Sequence, residues 1–120
     1  MGAGKTCFAK GIASGLAVKE DVTSPTYAII SEYQGSLATS QVPIAFYHID
    51  AYRLNGDDDF LAIGGEEAVF GNGVCVIEWS DRIPGFIPPW AICVEIRLIG
   101  GDNRLIQVSR GGNKGKIGQI

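Results

Sequence analysis

The sequence predicts an α/β fold in which a mixed β-sheet packs against few helices. Residues 5–16 carry apolar side chains at four-residue spacing, which is typical of one face of a helix. Residues 44–49 and 74–77 are apolar runs with the length and composition of buried strands. A helix followed by such strands predicts a sheet that is covered by helices. The side chains that predict the helix are Phe8, Ile12 and Leu16.

The remaining elements follow from local patterns. Alternating β-formers predict a strand over residues 27–33, and the polar stretch 34–42 predicts a turn. Three consecutive aspartates favour a helix start, because carboxylates are stabilised at the positive end of the helix dipole. A second short helix is predicted at residues 66–70. A β-hairpin is predicted with strands 91–99 and 104–108. The aspartates are Asp57, Asp58 and Asp59.

The chain has 120 residues, of which 46% are hydrophobic and 19% are charged, as in a globular protein. We expect one domain over residues 1–110 and a disordered tail over the Gly- and Lys-containing residues 111–120. The net charge is −3. A protein that binds nucleic acid by itself usually has a basic face, so any contact with RNA is expected to be indirect.

The cysteine and histidine content argues against zinc and disulfide sites. Three cysteines lie far apart and His48 is the single histidine. The cysteines are predicted to be small buried side chains in a reducing compartment. No apolar run is long enough to span a membrane, and no secretory signal is recognisable, so the prediction is a cytoplasmic protein.

The first residues resemble a phosphate-binding loop. Residues 2–6 read G-A-G-K-T, the end of the pattern G-x-x-x-x-G-K-[ST]. Glycines let backbone N–H groups surround a phosphate, Lys5 supplies a positive charge, and Thr6 supplies a hydroxyl to Mg²⁺. A helix that begins here directs its positive end at the phosphates. The residues predicted to contact the phosphates are Gly2, Ala3, Gly4, Lys5 and Thr6.

This motif alone is only moderately specific. The first glycine of the full pattern would lie two residues before Met1, and the strand expected before the loop is missing. A Gly-rich segment that merely precedes a helix is the alternative interpretation.

Two carboxylates at predicted strand ends are candidate magnesium ligands. Asp50 follows the strand 44–49, where a P-loop fold holds its Mg²⁺ directly or through water. Glu78 follows the strand 74–77, and a buried carboxylate needs a partner such as a magnesium ion or an ordered water. Each could instead be structural, with Asp50 capping a turn. The Thr-Ser-Pro-Thr segment 23–26 could contribute hydroxyls or be a simple turn.

Taken in order, these motifs resemble the bacterial TsaE family, formerly YjeE. The motifs are G-A-G-K-T, T-S-P-T-Y, a strand ending in H-x-D-x-Y-R, G-x-E-E, and a strand ending in E-W, over residues 2–98. The resemblance implies a P-loop NTPase-like, three-layer mixed sheet with few helices. Family members normally have about thirty more residues upstream, so we expect the first strand or strands before the loop to be missing and the chain to be N-terminally truncated.

The resemblance also implies ATP and Mg²⁺ as cofactors. It assigns ATP phosphates to residues 2–6 and magnesium to Thr6 and Glu78, with Asp50 essential nearby. Lys5, Asp50 and Glu78 would be the catalytic residues. Arg104 is a weaker candidate for contacting the nucleotide.

The implied function is slow, magnesium-dependent ATP hydrolysis in support of threonylcarbamoyladenosine modification of tRNA. The implied partners are TsaB and TsaD, with TsaC upstream and tRNA contacted indirectly. Two alternatives stay open. One is a small-molecule P-loop kinase, although Arg53 and Arg82 form no lid-like cluster. The other is a truncated, non-catalytic remnant that only packs against a partner.

Overall fold

A computed structural model describes residues 5–20, 22, 30–37 and 39–110, without the side chains of Lys5 and Thr6. Several predictions therefore lie outside the described residues. They are the loop residues Gly2, Ala3 and Gly4, the side-chain roles of Lys5 and Thr6, the segment 23–26 and the tail 111–120.

The described chain contains three helices and five strands, and two short 3₁₀ turns follow the third strand. In order they are α1 (Lys5–Gly15), β1 (Ile30–Ser36), β2 (Pro43–Asp50), α2 (Asp57–Ala62), α3 (Gly65–Phe70), β3 (Val74–Glu78), the turns Ser80–Arg82 and Pro84–Phe86, β4 (Ile92–Gly100) and β5 (Asn103–Arg110). The predicted α/β class and small helix content are confirmed. The P-loop layering of the fold stays a prediction.

The described strands form two separate sheets. In the first, the order is β1-β2-β3, with β1 antiparallel to β2 and β2 parallel to β3. The second sheet is the predicted hairpin of β4 and β5. Because β2 and β3 are parallel, their carboxyl ends lie on the same side of the first sheet. Ligands bind at this side in parallel α/β sheets.

Side chains of β2 and β3 alternate between two cores, one on each face of the first sheet. The α1-side core contains Phe46 and Val76 from the strands. The α2-side core contains Ile49 from β2, and Cys75 and Ile77 of β3 pack against it. Because side chains of a strand alternate, every even-numbered residue of β2 and β3 faces α1.

The most buried side chains of α1 are small. Ala9 and Ala13 are buried against Phe46 and Val76, whereas the predicted stripe of Phe8, Ile12 and Leu16 is only partly buried. Ile12 and Leu16 pack against the same core, and Phe8 packs against Val94 and Ile96 of β4. The periodicity therefore identified the helix but not its most buried face.

A close contact fixes the end of α1 beside the start of β2. The Ser36 N–H donates to the carbonyl oxygen of Leu16 at 2.6 Å, and Ser36 pairs with Pro43 at the beginning of β2. A Cβ at Gly35 would clash with the same carbonyl, so glycine permits this approach. The last turn of α1 therefore lies beside the start of β2.

Helix α2 packs Phe60 into the α2-side core. Its predicted start is confirmed, with the three aspartates in the first turn. The Asp59 carboxylate accepts the Asn55 N–H at 3.0 Å. The Phe60 ring meets Phe86 edge-on at 4.9 Å, and a Cβ at Gly65 would overlap it.

Two local predictions are wrong. Residues 34–36 belong to β1 rather than to a turn, because their backbone pairs with residues 43–45 of β2. Cys7 is exposed rather than buried, since it lies on the outer side of α1. The cysteines carry no disulfide.

No helix among the described residues is long and apolar enough to cross a membrane. The prediction of one domain over residues 1–110 stays a prediction.

Candidate nucleotide and magnesium site

Asp50 and Glu78 lie side by side at the carboxyl ends of two parallel strands. They are direct register partners in the β2–β3 pair, so their backbones are about 4.8 Å apart. Both are even-numbered and face the α1 side of the sheet. The Ala51 N–H continues the ladder by donating to the carbonyl oxygen of Glu78 at 3.0 Å. The sequence predicted that each carboxylate lies at a strand end, and the structure shows this and brings the two ends together.

The anchored end of α1 indicates how far the helix can extend along β2. From the contact at Leu16, the helix rises about 1.5 Å per residue back to Lys5, and β2 advances about 3.3 Å per residue from Pro43. The two lengths match at about His48, two residues before Asp50. A helix that runs along β2 from this anchor would therefore begin close to the carboxylate pair, where the predicted phosphate-binding loop would need to lie.

Glu78 is buried and bonded to a histidine. Its carboxylate Oε2 lies 2.5 Å from Nε2 of His48, and the two residues are 4% and 0% exposed. A carboxylate in this position would be costly without a charge or hydrogen-bond partner. His48 is one such partner, and the predicted role of Glu78 as a magnesium ligand stays a prediction.

Asp50 caps the turn that follows β2. Its Oδ1 accepts the Tyr52 N–H at 3.0 Å, an arrangement that stabilises an aspartate turn. This contact supports the structural interpretation of Asp50, in which its carboxylate caps a turn. A carboxylate oxygen in such a turn still has lone pairs for a cation or its bound water, so the turn and the proposed role are compatible.

Trp79 adopts a strained backbone conformation immediately after Glu78. Its φ is 60° and its ψ is 43°, the left-handed region that bulky residues rarely occupy. Its ring lies 4.9 Å from that of Tyr52, and the Arg82 guanidinium lies 5.1 Å from the Tyr52 ring centre. Such strain is concentrated at functional sites in proteins. The stack ties the segments after β2 and β3 together at the site edge.

The carboxylate pair suits a magnesium ion that is held partly by other ligands. Among the described residues, no group of three or more His, Cys, Asp or Glu side chains is placed to hold a metal. Mg²⁺ usually takes one or two carboxylates and completes its octahedron with water and phosphate oxygens. Asp50 and Glu78 fit that donor set, and they do not form a complete protein cage.

Arg104 lies elsewhere, on the second sheet. It is at the start of β5, where its guanidinium donates to the Asp102 carbonyl oxygen at 3.0 Å. The described structure therefore gives it a local role in the hairpin turn, and its contact with a nucleotide stays a prediction.

An apolar cavity of about 460 Å³ lies between β3 and β4. Its wall includes Phe8 of α1, Val76 of β3 and Val94 of β4, and it includes none of His48, Asp50 and Glu78. The cavity is therefore distinct from the carboxylate pair.

The His48–Glu78 bond was not predicted from the sequence. The two residues are separated by 30 positions, so their contact depends on the register of β2 against β3. A signal was available, since aligning the two strand ends puts His48 on the same face as Glu78 and one strand over.

Comparison with known proteins identifies the family of the chain. The family model described as "Threonylcarbamoyl adenosine biosynthesis protein TsaE" matches residues 1–106. The chain belongs to the TsaE family. The match covers the candidate site and nearly all described elements.

Individual relatives carry the name "tRNA threonylcarbamoyladenosine biosynthesis protein TsaE". The protein of Treponema pallidum is 42% identical over 109 residues, which are 91% of this chain and 76% of the relative. That of Bacillus subtilis is 37% identical over 114 residues, 95% of this chain and 67% of the relative. That of Haemophilus influenzae is 33% identical over 116 residues, 97% and 69% respectively.

Proposed function

We propose that the protein binds ATP with Mg²⁺ and hydrolyses it slowly, in support of threonylcarbamoyladenosine modification of tRNA. One observation carries the proposal. Asp50 and Glu78 are register partners at the carboxyl ends of two parallel strands, and the chain carries G-A-G-K-T directly before the helix that packs on the same sheet. This is the placement that phosphoryl transfer needs, because catalysis there depends on positioning and charge stabilisation.

Each residue of the proposed site has a chemical role. Backbone N–H groups of residues 2–6 and the Lys5 ammonium hold the phosphates. The Thr6 hydroxyl, Glu78 and Asp50 hold Mg²⁺ directly or through its waters. Bound Mg²⁺ offsets the negative charge that develops on the transferred phosphoryl group. Glu78 or Asp50 also orients the attacking water.

The pathway assignment rests on family membership. The names of the relatives refer to tRNA threonylcarbamoyladenosine biosynthesis, and we extend that role to this chain. The proposed partners are TsaB and TsaD, with TsaC supplying the activated threonylcarbamoyl group. With a net charge of −3, the protein contacts tRNA through those partners. It drives or resets the transferase and does not perform the transfer.

Substitution of Lys5 tests the phosphate loop. Lys5→Ala should reduce ATP affinity by at least about tenfold, because a loss of about 1.4 kcal/mol from a missing phosphate contact already has that effect. Lys10→Ala is the matched control, since Lys10 is an exposed lysine on the same helix. Isothermal titration with Mg-ATP measures both. Equal affinities of parent and Lys5→Ala would refute the loop assignment.

Reconstitution tests the partner proposal. Adding purified TsaB and TsaD should raise ATP turnover well above that of the isolated protein. A turnover that is already high and unaffected by either partner, with phosphate transferred to a small acceptor, would favour the small-molecule kinase instead.

A further inference from the structure

We propose that His48 is a positioning residue that orients the Glu78 carboxylate towards the magnesium site. The inference rests on the proposed function and extends it to a side chain outside the assigned phosphate and metal ligands. It is carried by a contact between two buried polar side chains, one of which ends a strand at the candidate site.

The contact fixes the rotation of the carboxylate. Nε2 of His48 lies 2.5 Å from Oε2 of Glu78. Both carboxylate oxygens are attached to one carbon, so holding Oε2 also sets the direction of Oε1. A ligand held in this way keeps its geometry without losing side-chain entropy when a cation binds.

The surroundings of His48 make the orientation rigid. The imidazole is fully buried, in the layer of side chains between the first sheet and α1. Phe46 precedes it on the same face and packs in the α1-side core. The ring is therefore held on its strand while its Nε2 reaches across to β3.

The hydrogen-bonding pattern selects one tautomer. Nδ1 of His48 is buried and has no hydrogen-bond partner in the described structure. A proton on Nδ1 would leave a buried donor unsatisfied, whereas a proton on Nε2 is donated to the carboxylate. We therefore place the proton on Nε2, which donates it to the Glu78 carboxylate.

The test uses two matched amide variants. In His48→Gln the amide nitrogen occupies nearly the position of Nε2, so the donor is kept. In His48→Asn the amide is one bond shorter and does not reach Glu78. Both variants place a neutral amide in the same buried site, so a comparable folding cost is expected for each, and thermal unfolding measures it.

The measured quantity is the Mg²⁺ concentration that gives half-maximal ATP hydrolysis. It should rise about 10- to 100-fold in His48→Asn, the usual effect of losing a residue that orients a metal ligand, and should stay within about threefold in His48→Gln. ATP affinity without metal should be unchanged in both. An unchanged Mg²⁺ requirement in folded His48→Asn would overturn the inference and leave the proposed function standing. A parent protein without Mg²⁺-dependent hydrolysis would overturn both.

A second readout does not depend on activity. Because His48 is the single histidine, ¹⁵N-histidine labelling gives one set of ring signals. NMR should show the proton on Nε2, with a changed Nε2 signal in Glu78→Gln. A ring without a proton on Nε2 would overturn the inference.

Discussion

Two regions of the molecule depart from ordinary burial in opposite ways. The strand ends of the first sheet bury polar side chains, and the β4–β5 hairpin exposes apolar ones. At the ends of β2 and β3, His48 and Glu78 are buried and bonded to each other. On the hairpin, Ile106 and Val108 are 55% and 65% exposed. Buried polar groups and exposed apolar patches are the informative exceptions to ordinary burial.

The two regions differ because the first sheet is covered on both faces and the hairpin is not. The first sheet lies between the α1-side and α2-side cores. In the described structure the hairpin buries only Val94 and Ile96, against Phe8 of α1. By register, Ile106 and Val108 lie opposite Ile96 and Val94 and share their face. One face of the hairpin is thus apolar and only partly covered.

A pair of identical substitutions should separate the two regions most strongly. Ile49→Ala removes a fully buried side chain of the first sheet and should lower the free energy of unfolding by about 2–5 kcal/mol. Ile106→Ala removes the same atoms from the exposed hairpin face and should change it by about 0.5 kcal/mol or less. Urea denaturation of both variants measures the difference.

The outcome for Ile106 decides between two descriptions of the hairpin. A small effect agrees with an apolar face that is open in the isolated protein. A loss as large as that of Ile49→Ala would contradict the comparison, because it would mean that the face is covered in the folded protein.

A smaller effect is the loss of stability at alkaline pH that we expect from Cys75, which packs against the α2-side core. Burial raises the pKa of the Cys75 thiol from 9.0 to about 12. Between these values the unfolded chain releases the thiol proton while the folded protein keeps it, so stability falls as pH rises. The protonated Cys75 thiol contributes its full stabilisation of the folded state below about pH 9. Above that pH the free energy of unfolding declines by at most about 1.4 kcal/mol per pH unit.

Substitution isolates this contribution from other groups that titrate at alkaline pH. Cys75→Ala should lose stability less steeply than the parent between about pH 9 and pH 11, measured by urea denaturation. Parallel slopes for the two proteins would show that Cys75 is not shielded from water and that β3 is less well covered than described.

The sequence predicted those parts of the fold that depend on local pattern. The helix at residues 5–15 and the strands that end at Asp50 and Glu78 have clear periodicity or composition. The close packing of Ala9 and Ala13 was missed, because a spacing of large apolar residues does not show which small residues touch the sheet. Residues 34–36 look polar, and only their pairing with β2 makes them a strand.

The sequence allowed the two carboxylates of the candidate site to be predicted, but not the side chains that contact them. Asp50 and Glu78 each follow an apolar run, which marks a strand end in the sequence. The bond from His48 to Glu78 requires the parallel register of two strands that are distant in the chain. The left-handed conformation of Trp79 has no local signal, because tryptophan rarely adopts it.

The most direct test of the central claim is the rate of Mg²⁺-dependent ATP hydrolysis by Glu78→Ala. Glu95→Ala is the matched control, since Glu95 lies on the hairpin and pairs with Arg97 at 3.5 Å at the surface. We predict that Glu78→Ala binds ATP but hydrolyses it at least about 100-fold more slowly, the scale expected for losing a group that positions a metal and water. Glu95→Ala should match the parent. Equal hydrolysis rates for Glu78→Ala, Glu95→Ala and the parent would contradict the placement of the site at the ends of β2 and β3.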